Sequence, residues 1–137
     1  MKKWGPLPTL AQEGIFKSRC LVQGKVCTLI IDLGAHSNLV SIDMVSKLGL
    51  ALVEHPNPYS TTWVNQELNV RVSQKALVNF SIGPYHDQVW CDIISMNYGH
   101  MILGRPWQCM RKTIHDGYKN TYIVHKGKEK FKLNPLT

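Results

Sequence analysis

The sequence predicts one all-β domain, a small barrel or sandwich with one or two short helices. Three observations carry this. Short apolar runs recur along the chain with Gly-, Pro- or Asn-bearing turns between them. One of these runs, Val26-Cys27-Thr28-Leu29-Ile30-Ile31, is too apolar for a strand with one wet face and leads straight into Asp32. The length, 137 residues, fits a single domain and is enough to bury a core without staples.

Taken in order, residues 1–13 hold Gly5, Pro6 and Pro8 with little periodicity, and read as an arm or linker ahead of a domain over 14–137. Residues 15–22 read as a strand, Gln23-Gly24-Lys25 as a tight turn, and 26–31 as the returning strand. Ser41 is suited to cap a short helix in which Ile42, Val45 and Leu48 fall at helical spacing, and Gly49 stands where such a helix stops. Pro56 and Pro58 are expected to break the chain. Residues 59–72 then read as a hairpin with its tip near Asn65-Gln66-Glu67. A strand over 76–82, a turn at 83–86 and a returning strand over 88–94 follow. Met101-Ile102-Leu103-Gly104 is another apolar strand end, and 105–110 form a helical turn with Pro106 at its first position. Residues 121–124 and 129–133 make a last hairpin around Lys126-Gly127.

Composition narrows the function classes. With 44% hydrophobic and 18% charged residues the chain reads as an ordered soluble domain. No apolar run approaches the roughly 18–20 residues of a membrane span, so no membrane partner is expected. No secretory leader is apparent at the start, and a cytoplasmic location with reduced thiols is the expectation. Cys20, Cys27, Cys91 and Cys109 form no C-x-x-C, although Cys20 and Cys27 face each other across the first hairpin. The six histidines lack ligand spacing, so neither metal nor cofactor is expected. No Gly-x-Ser-x-Gly elbow exists. The four tryptophans read as core or flap packing, and Asp43, Asp87, Asp92 and Asp116 as surface or turn carboxylates. The net charge is +7 and concentrates at the ends: Lys/Arg outnumber Asp/Glu five to one in residues 1–31 and seven to two in 111–137, but not in between. Solvated lysines on an exposed strand are the plain reading, and a weak nucleic-acid footprint over 111–132 is the alternative.

Asp32 is the candidate catalytic residue. A buried strand ending in Asp, with Leu33-Gly34-Ala35 behind it, holds a carboxylate rigidly at the mouth of the core. Gly34 removes a side chain, so the backbone can turn sharply and a substrate can approach. One such loop supplies one carboxylate. Aspartic peptide hydrolysis needs two that share a proton, because two like charges at contact distance cannot both ionise. A protease built on this loop is therefore a symmetric homodimer with its site on the two-fold axis.

Several blocks, in order, resemble the protease segment of plant Ty3/gypsy long-terminal-repeat retrotransposon polyproteins, within the retropepsin family. They are residues 26–34 with Ser37-Asn38-Leu39-Val40-Ser41 behind them, Lys47-Leu48-Gly49-Leu50, His55-Pro56-x-Pro58-Tyr59, Trp63-Val64-Asn65, Phe80-Ser81-Ile82-Gly83, Cys91-Asp92-Ile93-Ile94, Gly99-His100-Met101-Ile102-Leu103-Gly104-Arg105-Pro106-Trp107-Gln108 and His115-Asp116-Gly117-Tyr118. The resemblance implies a retropepsin-like closed barrel and an aspartic endopeptidase cutting extended polyprotein segments, in the cytoplasm or inside retroelement particles. It implies that Ile102, Leu103, Gly104 and Arg105 support the Asp32 loop, with Arg105 tying the dimer. It also implies that Trp63, Val64, Asn65 and Gln66 belong to a flap that closes over the substrate. Two positions depart from the pattern. Leu33 stands where active members carry Ser or Thr, and the flap tip has no glycine. The alternative implied is a retropepsin-fold module kept for dimerisation or peptide binding.

Overall fold

The computed structural model describes residues 15–62, 69–96 and 99–136. Strands β1 (Ile15–Val22) and β2 (Lys25–Asp32) form the first hairpin. Gln23 and Gly24 both have positive φ, 52° and 75°, as a two-residue turn matched to strand twist requires. Side chains alternate across the register. Phe16, Cys20 and Val22 with Cys27, Leu29 and Ile31 are buried in the main core. The opposite face carries Asp32 and the pairs Lys17↔Ile30, Arg19↔Thr28 and Leu21↔Val26. Asp32 thus lies on the face turned away from the main core.

Strand β3 (Leu39–Ser41) is wholly buried and leads into helix α1 (Ile42–Leu48). The Ser41 hydroxyl accepts from the Met44 amide at 3.1 Å, and Gly49 closes the helix at φ 62°. Strands β4 (Leu52–Thr62) and β5 (Asn69–Ile82) pair antiparallel. Pro56 and Pro58 do not break β4 as expected; they sit where the register shifts between Glu54 and Tyr59, on the outermost strand, where a missing amide costs no ladder bond. Strand β5 is continuous rather than two pieces, and β6 (Tyr85–Ile94) returns along it. Then come β7 (Met101–Leu103), α2 (Arg105–Met110), β8 (Ile114–Asp116), β9 (Thr121–Lys126) and β10 (Glu129–Leu133).

Seven strands form one sheet in the order β1-β2-β7-β3-β6-β5-β4, and the bridge Leu21↔Ser81 joins β1 back to β5. That bridge is the extent to which the expected barrel closes. A second sheet runs β10-β9-β8. The main core gathers Phe16, Leu29, Ile31, Tyr85, Leu103, Trp107 and Tyr122. A smaller cluster of Ile30, Ala35, Leu39, Val72, Ile94 and Ile102 lies behind the Asp32 turn, with Tyr59 and Val70 packed against it. Among the tryptophans, Trp107 is fully buried, whereas Trp90 is 48% exposed with the Lys75 ammonium 4.6 Å from its ring centroid. Cys20 and Cys27 are opposed and free. Burial, then the neighbouring Cys27, pushes the Cys20 thiol up to about 12, and burial raises Cys27 as well. Both stay protonated and unreactive. No helix of the described residues is long and apolar enough to cross a membrane.

Candidate active site

Strand β2 delivers Asp32 into a turn closed by the Ala35 amide donating to the Asp32 carbonyl at 3.2 Å. The Gly34 amide donates to Asp32 Oδ1 at 2.8 Å, so one carboxylate oxygen is fixed by its own loop. Gly34 is not in the left-handed region, so its backbone does not require glycine. What it provides is clearance, since a Cβ there would lie 3.3 Å from Asp32 Oδ1. Leu33 projects outward at 51% exposure, and Ala35 turns back into the smaller core cluster.

The Ile102-Leu103-Gly104-Arg105 block lies directly behind this turn. Strand β7 runs parallel to β2, with Ile30↔Ile102 and Ile31↔Leu103 in register. At its end the chain crosses the loop after Asp32 so closely that a Cβ at Gly104 would lie 2.4 Å from the Ser37 carbonyl oxygen. The Gly104 amide donates to Asn38 Oδ1 at 3.0 Å, and the Arg105 amide donates to the Ala35 carbonyl at 2.9 Å. Arg105 makes this contact through its backbone; its side chain is exposed. One turn into α2, buried Gln108 donates from Nε2 to the Asp32 carbonyl at 3.3 Å and to the Leu103 carbonyl at 3.5 Å. Tyr122 of β9 lies within electrostatic reach: burial, then the Asp32 charge, raises its pKa.

A polar cluster joins the same loop to the β4–β5 hairpin. The Tyr59 hydroxyl donates to Asp92 Oδ2 and lies 3.2 Å from the Ser37 hydroxyl. His55 Nδ1 accepts from the Asn57 amide at 3.0 Å, so Nε2 carries the proton presented to Asp92 Oδ1 at 3.2 Å. Burial, then the bond to Asp92, pushes the Tyr59 hydroxyl up to about 12, so it remains a donor. Asp92 is therefore not the surface or turn carboxylate the sequence suggested. Asp87 is not one either: it is 7% exposed and ion-paired with Arg111.

The structure thus brings together Asp32, Gly34, Ala35, Ile102, Leu103, Gly104 and the backbone of Arg105, with Leu33 at the rim. Trp63, Val64, Asn65 and Gln66 lie outside the described residues, between the ends of β4 and β5. Asn38, Gln108 and Tyr59 were not assigned roles from sequence. Each stood in a quoted block, but their partners are too distant in the chain for spacing to reveal. Among the described residues no three His, Cys, Asp or Glu side chains gather as a metal site. The arrangement is one rigid, partly exposed carboxylate at a strand end, braced from behind by backbone.

Comparison with known proteins bears on the family and the fold. Residues 28–128 match the family model of the PEG10/RTL1 protease domain. The fold is similar to the retroviral protease-like domain of Ddi1 from Leishmania major, at TM-score 0.67 and 8% identity over 90% of this chain and 94% of that one. It is similar to EIAV protease complexed with the inhibitor HBY-793, at TM-score 0.55 and 15% identity over 75% and 93%. It is also similar to a retropepsin-like aspartic protease from Rickettsia conorii, at TM-score 0.53 and 15% identity over 97% and 99%. No curated protein sequence matches. The family match takes in both the end of β2 with Asp32 and the Ile102-Leu103-Gly104 block behind it, and the chain belongs to the PEG10/RTL1 protease domain family, on a retropepsin-like fold.

Proposed function

We propose that the chain is an aspartic endopeptidase working as a two-fold homodimer, with Asp32 of each protomer in one shared site. The observation that carries this is the Asp32 turn itself: a carboxylate held by the Gly34 amide, on a loop pinned from behind by Gly104, Arg105 and Gln108. Two such carboxylates across a two-fold axis share one proton. The ionised one takes a proton from a water that attacks the scissile carbonyl, and the protonated one gives its proton to the developing oxyanion. Collapse of the tetrahedral intermediate, with a proton passed to the leaving nitrogen, releases the two peptides. The substrate lies extended between the Asp32 turn and the β4–β5 hairpin, whose residues 63–66 form the flap. The exposed Arg105 side chain is free to tie one protomer to the other. Descent from a plant Ty3/gypsy polyprotein, and cleavage of polyprotein junctions in the cytoplasm or in element particles, complete the reading.

A second reading rests on Leu33. Its side chain cannot make the cross-dimer hydrogen bond of a Ser or Thr hydroxyl, and it is 51% exposed at the rim. A module kept for dimerisation or peptide binding needs no such bond.

Cleavage of a mixed peptide library at about pH 4–6, where an aspartate pair shares its proton, separates the two. Wild type is expected to cut and Asp32→Asn not to, with dimerisation unchanged. Absence of cleavage from a demonstrated dimer selects the binding module. A milder variant probes the hairpin. Tyr59→Phe removes the link to Asp92 and Ser37 while leaving the ring in place. It is expected to lower stability by about 1 kcal/mol and kcat/KM by about tenfold through a loosened hairpin. Unchanged kinetics with a lowered melting temperature would leave Tyr59 a purely structural residue.

A further inference from the structure

A cavity of about 500 Å³ opens beside the site and plays no part in the chemistry above. Three cations from two elements line it: Lys17 and Arg19 of β1 and Lys47 of α1. One carboxylate, Asp43, lines it too. Among the described residues none of the three cations forms an ion pair; Arg111–Asp87 is the ion pair found there, and His55 bonds Asp92 as a neutral ring. His100 adds a donor. Its Nδ1 accepts from the Thr28 amide at 2.8 Å, which leaves the proton on Nε2. Met44 and Met96 supply apolar wall.

The position matters as much as the charge. Lys17 and Arg19 pair with Ile30 and Thr28, on the same strand face as Asp32. Thr28 lies four residues back along β2, about 13 Å from Asp32 at strand rise. An extended peptide held at Asp32 needs about four residues to span that distance, and more to pass around Ile30, which is buried between the two.

We propose that this cavity binds acidic side chains of a peptide, about four or more positions from the residues held at Asp32. Among the described residues no Phe, Tyr or Trp lines it as a stacking platform, and three cations facing one carboxylate in a cavity of this size suit a carboxylate side chain, so an acidic peptide fits better than a nucleic acid. The proposal deepens the protease reading and rests on it for the location of the scissile bond, but the binding itself needs no catalysis.

The test therefore uses the full chain carrying Asp32→Asn, so that no peptide is cut. The probe is a fluorescein-labelled peptide with an apolar centre and two glutamates near one end, beside the same peptide with glutamines. The glutamate peptide is expected to bind about fivefold tighter, the scale of a few exposed ion pairs. Adding Lys17→Gln and Arg19→Gln together should make the two peptides bind alike. Lys47→Glu added to that pair should turn the preference toward a lysine-bearing peptide. Equal binding of the first two probes, no binding of either, or a preference that survives loss of the cations overturns the proposal. Displacement of the peptide by single-stranded RNA, with a steep salt slope and the same need for Lys17 and Arg19, overturns it in favour of nucleic acid. Failure of the protease reading looks different: wild type cuts nothing, while the glutamate preference persists.

Discussion

Asp87→Ala is expected to cost about 3 kcal/mol of stability, read as a lowered urea midpoint, because it strips the acceptor from a buried network. Strand β6 turns Tyr85, Asp87, Val89 and Cys91 inward, so a carboxylate occupies a core-facing position. It is tolerated because every neighbour is a donor. Arg111 grips it with Nε and Nη2, each at 2.8 Å; the Tyr85 hydroxyl and the Gln88 amide donate as well. Trp107 Nε1 donates in turn to the Tyr85 hydroxyl at 2.9 Å. The network ties β6 to α2 and to Arg111 at the end of that helix. Without the carboxylate, the tyrosine loses its acceptor and the guanidinium both of its own. The Arg111 side chain is 18% exposed and keeps some hydration, which holds the loss near the lower end for a broken buried pair.

The same network sets an acid limit. Burial alone would raise the Asp87 pKa, but the Arg111 pair and the Tyr85 and Gln88 bonds outweigh it and hold the carboxyl below its ordinary 3.8. A depressed folded value stabilises fully above the unfolded pKa and is lost as pH falls through the folded one. Wild type should therefore keep this contribution at about pH 4 and above, and lose it on further acidification. Asp87→Asn should flatten that part of the stability–pH curve. A midpoint that Asp87→Ala leaves unmoved, or an acid limb identical in Asp87→Asn, would sink this account.

What the sequence revealed was local. The Asp32 turn was legible because a continuous apolar run ends in Asp with Gly two residues on, and the bond from the Gly34 amide spans those same two residues. The first hairpin, the Ser41 cap and the Gly49 stop were legible for the same reason. Strands β3 and β8 were missed because three residues carry no period to read, and neither has the wholly apolar run ending in glycine that made the equally short β7 legible. Pro56 and Pro58 misled because proline forbids a ladder bond but not a place on an outermost strand with shifted register. Asp87 and Asp92 looked like surface carboxylates because their partners are remote: Arg111 is 24 residues away and Tyr59 is 33. Gln108 reaches Asp32 across 76 residues. A carboxylate's surroundings are a property of the folded sheet, and spacing does not carry them.

Gly104→Ala is expected to be the most damaging single-methyl change near the site. Its backbone, at φ −97° and ψ −160°, is extended and open to any residue, so the reason for glycine is space. An added Cβ would lie 2.4 Å from the Ser37 carbonyl oxygen, 2.7 Å from that of Ala35 and 3.0 Å from the Ser37 carbonyl carbon. All three are backbone atoms of the loop that follows Asp32, and none can swing aside as a side-chain tip would. The loop and the start of α2 must separate. That strains the Gly104–Asn38 and Arg105–Ala35 bonds together, and shifts the Asp32 carbonyl that Gln108 holds at 3.3 Å. The expected loss is about 3 kcal/mol, the upper range of overpacking. Where the protein still folds, cleavage should fall about a hundredfold, as small misplacements of a reacting group do. Two other glycines calibrate the result. Gly34→Ala meets only Asp32 Oδ1, at 3.3 Å, and should perturb the carboxylate more than the fold. Gly117→Ala meets nothing within 4 Å and should be near neutral in both. If Gly104→Ala melts and cleaves like Gly117→Ala, backbone contact behind the turn is not what holds Asp32 in place.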